Sequence, residues 1–187
     1  MKGLIMNFLG RVIHAIDWVN EQSGRLVSFL AAFMMFNVVY EVIARYIFNR
    51  PTIWAMEVNQ YLLCGYTALA GGYALLYKSH VNVDILHQRF GVRTRAFLDI
   101  LTSLFFFTFI FVLIWKSGAM AWETWVYDEH SESLLAAPLF PSKVVIPVGG
   151  LLILFQGLAK IIRDLKTLVT GIEEIPSTAG IFERKEK

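Results

Sequence analysis

The stretch RYIFNRPTIWAMEVNQ, residues 45–60, decides how the chain is read. It sets two arginines, a glutamate, two asparagines and a glutamine between two strongly apolar runs, with Pro51 near its centre. If those runs cross a bilayer, the stretch is the turn of a helical hairpin. Composition favours that reading. The 187-residue chain is 56% hydrophobic and only 17% charged, and its mean hydropathy of +0.54 is too high for an ordinary soluble domain of this length. Uncharged stretches run from Leu26 to Tyr40, Val58 to Tyr77, Ile100 to Trp115 and Val144 to Ala159. Because roughly 20 helical residues cross a hydrocarbon core, they predict four spans at 25–47, 54–78, 96–116 and 142–163.

Ahead of the first span, Leu4, Ile5, Phe8, Leu9, Val12, Ile13, Ile16 and Val19 recur at helical spacing, while Asn7, Arg11, His14, Asp17 and Asn20 take the other face. This predicts an amphipathic helix over 3–20 lying in the membrane interface. A signal peptide would need an uninterrupted apolar core, which Arg11, His14 and Asp17 break. The expected fold is therefore an all-α membrane protein, one membrane domain over 1–172, with a polar, disordered tail over 173–187.

Charge placement sets the expected orientation. Lys2, Arg11, Arg25, Lys78, Arg89, Arg93, Arg95, Lys160, Arg163 and Lys166 fall on one side of the proposed spans, and Arg45, Arg50 and Lys143 on the other. The positive-inside bias then puts both termini in the cytoplasm. Trp115, Trp122, Trp125 and Tyr127 would form an aromatic belt at the outer interface, next to an acidic loop with Glu123, Asp128, Glu129 and Glu132.

Several chemistries find no support. The single cysteine, Cys64, lies inside an apolar run and has no disulfide partner in the chain. The basic residues form no arm suited to nucleic acid. His14, His80, His87 and His130 supply no pair placed to ligate haem across a bundle, and no metal cluster, phosphate loop or catalytic motif appears. The expectation is no catalytic residue, no cofactor and no metal site.

Glu41 and Arg45 are four apart on one helix, and Glu57 lies one turn into the next, beyond a turn set by Asn49, Arg50 and Pro51. Arg45 flanked by two carboxylates would clamp the hairpin, and a paired arginine is far cheaper in a membrane than a lone one. The alternative is a cation or proton site on Glu41 and Glu57, but transporter sites usually sit at the midplane between broken helices. His80 and Asp84, in SHVNVD at 79–84, could pair on one helix face; two candidate ligands do not make a metal site, and bonding to helix-end backbone is the plainer role. Gly65, Gly71 and Gly72 offer small surfaces for close helix approach, LFFFTFIF at 104–111 suits lipid or another membrane protein, and Pro147 falls inside the last helix, where it is expected to kink it.

These pieces carry a resemblance. YEVIARYIFNRPTIWAMEV at 40–58, with its Arg, Phe-Asn and Trp-x-x-Glu pattern, GGYALLYKSHVNVDIL at 71–86, with its glycines and His-x-x-x-Asp, and PLFPSKVVIPVGGLLILFQGL at 138–158 are similar, in order and spacing, to the DctQ-like small membrane subunit of tripartite ATP-independent periplasmic (TRAP) transporters. The resemblance implies a multi-pass protein of the bacterial cytoplasmic membrane that scaffolds a large multi-span transport subunit. It also implies sodium as the coupling ion in that large subunit, and a periplasmic binding protein that delivers an organic acid. It assigns Arg45, Asn49, Trp54, Glu57, Gly72, His80, Asp84 and Pro147 structural or subunit-interface roles.

Overall fold

A computed structural model describes residues 2–77 and 92–170. They form four helices: α1 Lys2–Tyr46, α2 Ala55–Leu76, α3 Val92–Val126 and α4 Phe140–Thr170. Outside the helices, the described residues contain one isolated antiparallel bridge, His130 to Pro138, in the α3–α4 loop. His80, Asp84 and the tail over 173–187 lie outside the described residues.

The first correction concerns α1. A separate interfacial helix followed by a span was expected, but the chain runs as one 45-residue helix through Glu21, Gln22, Ser23 and Gly24. Those residues fall between the expected bounds, 3–20 and 25–47. They stay helical because Ser23 Oγ donates to the Asn20 carbonyl at 2.7 Å, and because Gly24 meets the ring of Tyr73 on α2, where a side chain would collide. The glycine marks a helix crossing rather than a terminus.

The second correction is that the far end of that polar face, Asp17 and Asn20, points inward, while Arg11 and His14 stay exposed. Asp17 is 0% exposed and Asn20 1%, whereas Trp18 is 56% exposed. An interfacial helix turns its polar side to water. Here Asp17 and Asn20 bond to α4 while Trp18 and Val19 face out.

Two other helices outrun their expected ends. α3 continues past 116 to Val126, by about ten residues or 15 Å. The uncharged run ends at Trp115, but Ala121 and Thr124 beyond it are buried and hold the helix against its neighbours. α4 continues past 163 because Arg163 and Thr167 prolong the buried face begun by Gln156 and Ala159. Pro147 lies within α4, where its missing N–H leaves the Lys143 carbonyl without its helical donor.

α4 is the hub, packing against α1, α2 and α3, while α3 packs principally on α4. The backbones approach closely at two glycines. A Cβ on Gly149 would strike the Ala68 carbonyl of α2, and one on Gly72 would strike Asn20 Oδ1 and the Leu152 side chain. Small residues at such crossings let dispersion contacts replace the hydrophobic drive that lipid removes.

Among the described residues, three helices are long and apolar enough to cross a membrane: Gly10–Tyr46, Leu98–Val126 and Phe140–Leu168. Four were expected. α2, with 22 residues, is long enough but carries Glu57, Asn59, Gln60 and several tyrosines, because it lies between α1 and α4. Outward faces are strongly apolar instead: Phe29, Phe36, Phe105 and Phe109 are all more than 60% exposed.

Gly149→Val should therefore destabilise the chain by about 3 kcal/mol through a backbone clash. Gly118→Ala, where an added Cβ meets nothing within 4 Å, should be neutral or stabilising by up to about 1 kcal/mol. Thermal denaturation of both variants in detergent checks the contrast.

Candidate functional site

Three polar clusters are built into this apolar frame. The deepest joins α1 to α4. Asp17 and Asn20 lie three apart on α1, and Gln156 and Arg163 lie seven apart on α4, so each pair shares a helix face. Arg163 Nη2 donates to Asp17 Oδ1 at 2.6 Å and Oδ2 at 2.5 Å. Gln156 Nε2 donates to Asp17 Oδ1 at 3.1 Å, and Gln156 Oε1 accepts from Asn20 Nδ2 at 2.8 Å. The carboxylate thus holds a charge partner and an amide donor, which offset the cost of burying it. Beside this seam, Tyr77 Oη donates to Glu21 Oε2 at 2.5 Å and ties the end of α2 to α1.

The second cluster is the α1–α2 hairpin. Arg45 Nε and Nη2 donate to Glu41 Oε1 at 3.1 and 2.7 Å. Glu41 Oε2 accepts from the backbone N–H of Thr52 at 3.1 Å and from its hydroxyl. Asn49 takes a left-handed φ of 50°, a conformation asparagine tolerates better than most residues, and Arg50 N–H closes the turn on the Ala44 carbonyl at 2.9 Å. Trp54 stands at the N-terminus of α2 and stacks on Tyr40 with ring centroids 5.8 Å apart. Asn37 Nδ2 bonds both the Ala55 carbonyl and Asn59 Oδ1 at 3.0 Å, stitching the helices one turn deeper.

Glu57 does not complete the expected clamp. It is 5% exposed, and neither carboxylate oxygen has a hydrogen-bond partner. Arg45 faces Glu41 instead, since the two are on one helix and need no crossing of the turn. Glu41, a residue the resemblance did not assign, closes the turn.

The third cluster fixes the α3–α4 loop. Lys143 Nζ donates to Glu129 Oε2 at 2.5 Å and to Thr124 Oγ1 at 2.8 Å. Tyr61 Oη donates to the Pro138 carbonyl at 2.6 Å, fastening the loop to α2. The Lys143 hydrogen bond, followed by that of Thr124, holds the Glu129 carboxyl below its ordinary value.

Of the residues singled out from the sequence, the structure brings Arg45, Asn49 and Trp54 together at the hairpin and puts Gly72 against Asn20. Asp17, Asn20, Asn37, Gln156 and Arg163 went unassigned. The available signal was Gln156, a lone amide in the otherwise uncharged run 144–159, one helix face from Arg163. Among the described residues, no group of His, Cys, Asp and Glu could hold a metal ion.

Inward polar seams, outward apolar faces and a fastened hairpin describe a helical membrane protein. Residues 34–167 match the family of tripartite ATP-independent periplasmic transporters, DctQ component, and the chain belongs to that family. It is a TRAP transporter small permease subunit, from a family of transporter subunits rather than enzymes. It is similar to the ectoine TRAP transporter small permease protein TeaB of Halomonas elongata, at 26% identity over 156 residues, covering 82% of this chain and 80% of that protein.

Removing one member of the deep pair, by Asp17→Ala or Arg163→Ala, should cost about 3–5 kcal/mol, whereas Asp17→Leu with Arg163→Met should recover most of it. A double-mutant cycle on thermal stability in detergent checks this. At the loop, a lowered native pKa means that Glu129 contributes stability in full above its ordinary pKa of 4.5 and loses it as pH falls through the native value. Acid titration of tryptophan fluorescence should therefore show a loosening of the loop below that pH that Glu129→Gln removes.

Proposed function

We propose that the chain acts as a scaffold: it braces a large multi-span transport subunit that performs sodium-driven uptake of an organic acid delivered by a periplasmic binding protein. The observation that supports this most is the direction of its surfaces. Aromatic and aliphatic side chains of α1 and α3 point outward along most of their length. Apart from Glu57, the carboxylates of the polar seams are spent on internal bonds: Glu41 is occupied by Arg45 and Thr52, and Asp17 by Arg163 and Gln156. An isolated transport path would need polar groups directed into a shared cavity near the midplane.

In this reading α2 is also a span, giving four, and both termini lie on the cytoplasmic side of the bacterial inner membrane. At about 1.5 Å per residue its 22 residues reach roughly 33 Å, enough to cross. The coupling ion belongs to the large subunit. TeaB's description widens the substrate panel, so uptake assays should include ectoine beside organic acids.

Tagged chain extracted from native membranes in mild detergent should carry a large polytopic subunit at about one to one, and a reporter fused near residue 130 should read periplasmic. A chain recovered alone while other complexes survive, or a cytoplasmic reporter signal, would overturn the scaffold or its orientation respectively.

A further inference from the structure

Glu57 is the one described carboxylate that is deeply buried with both oxygens unpartnered. It lies on the first turn of α2 and lines a pocket of about 280 Å³, together with Gln60, Tyr61, Cys64, Leu139 and Ser142. A carboxylate taken out of water without a partner costs several kcal/mol, so an arrangement that keeps it there points to a donor from outside the chain. Arg45 is engaged by Glu41, Lys143 is engaged by Glu129 and Thr124, and Arg50 is exposed on the turn.

A metal ion fits poorly. Hard cations want five or more oxygens closely spaced around them and more than one carboxylate to balance their charge, and this pocket offers a single carboxylate, its other polar side chains being the neutral Gln60, Tyr61, Ser131 and Ser142. A guanidinium fits better. Its fork matches a carboxylate with both oxygens open, and the pocket has room for the head of an arginine side chain. The donor must also stay. A desolvated ion pair releases slowly, which suits a permanent subunit and not a soluble protein that docks and departs in each cycle. The mouth adjoins a second hollow of about 500 Å³ between α1 and α2; Gln60 and Leu63 line both hollows, and Arg45 and Glu41 lie in the second.

We propose that this pocket is a socket for an arginine side chain of the large membrane subunit, whose guanidinium pairs with Glu57 when the two assemble. The proposal rests on the scaffold reading and adds to it one residue and one partner chemistry.

The test co-expresses the tagged chain with the large subunit and compares the wild type with Glu57→Gln. Wild-type retention of the large subunit tests the scaffold reading itself; the variant tests the socket. Glu57→Gln should retain at least tenfold less large subunit, while the melting temperature of the chain purified alone stays the same or rises, since an unpaired buried carboxylate has been removed. Ser131→Arg, which brings a guanidinium to the pocket rim from this chain, should lower retention as well. A photo-crosslinking residue at position 60 should capture a large-subunit peptide containing arginine, and reversing that arginine to glutamate should restore assembly with Glu57→Arg. Wild-type retention by both variants would overturn the socket. So would a loss that tracks a lower melting temperature of the chain alone, or crosslinks that land on the binding protein or on lipid.

Discussion

The Arg163–Asp17 pair is the contact on which the arrangement of helices most depends. In lipid, a helix gains little by burying apolar surface against another helix, so register must come from close packing and from polar groups with nowhere else to go. Asp17 is paired with Arg163, and Gln156 and Asn20 extend the bond network by two turns. Sliding α4 by one residue along α1 would break the pair and leave a buried carboxylate and guanidinium without their partners. The pair therefore sets which face of α4 meets α1 more sharply than the surrounding leucines and isoleucines can.

With α4 registered on α1, its other faces are committed. Gly149 turns toward α2 and brings the backbones together at Ala68, and α3 takes the remaining side. α3 contributes little to the interior and much to the surface, and its phenylalanines have the character of a contact face for lipid or a larger partner. A small permease subunit built this way is stiff at its centre and adhesive at its edges, which suits a brace.

The hairpin end follows a different logic. There the bonds are short-range: Glu41 to Arg45 along one helix, Glu41 to Thr52 across the turn, Asn37 to Ala55 and Asn59 one turn deeper. These suffice to hold the turn without Glu57. The carboxylate left over is then free of any internal duty, which is why it reads as an acceptor for another subunit and not as a clamp.

What the sequence determined by itself were properties that depend on composition and local spacing. Apolar run length showed a helical membrane protein, the turn residues at 49–51 placed the hairpin, and ordered motifs indicated the DctQ family. Tertiary structure alone decided which polar residues meet. Asp17 and Arg163 are separated by 146 positions, and nothing in either local pattern distinguishes a buried partner from a solvated interfacial charge. The same limitation split α1 into two helices, because the amphipathic pattern of 3–20 and the apolar run from Leu26 differ in kind, and only the structure shows one helix running through Gly24 with Tyr73 packed on it. It also paired Glu57 with Arg45: spacing along the chain brought both to the hairpin, but only the packing of the two helices decides which carboxylate the guanidinium reaches.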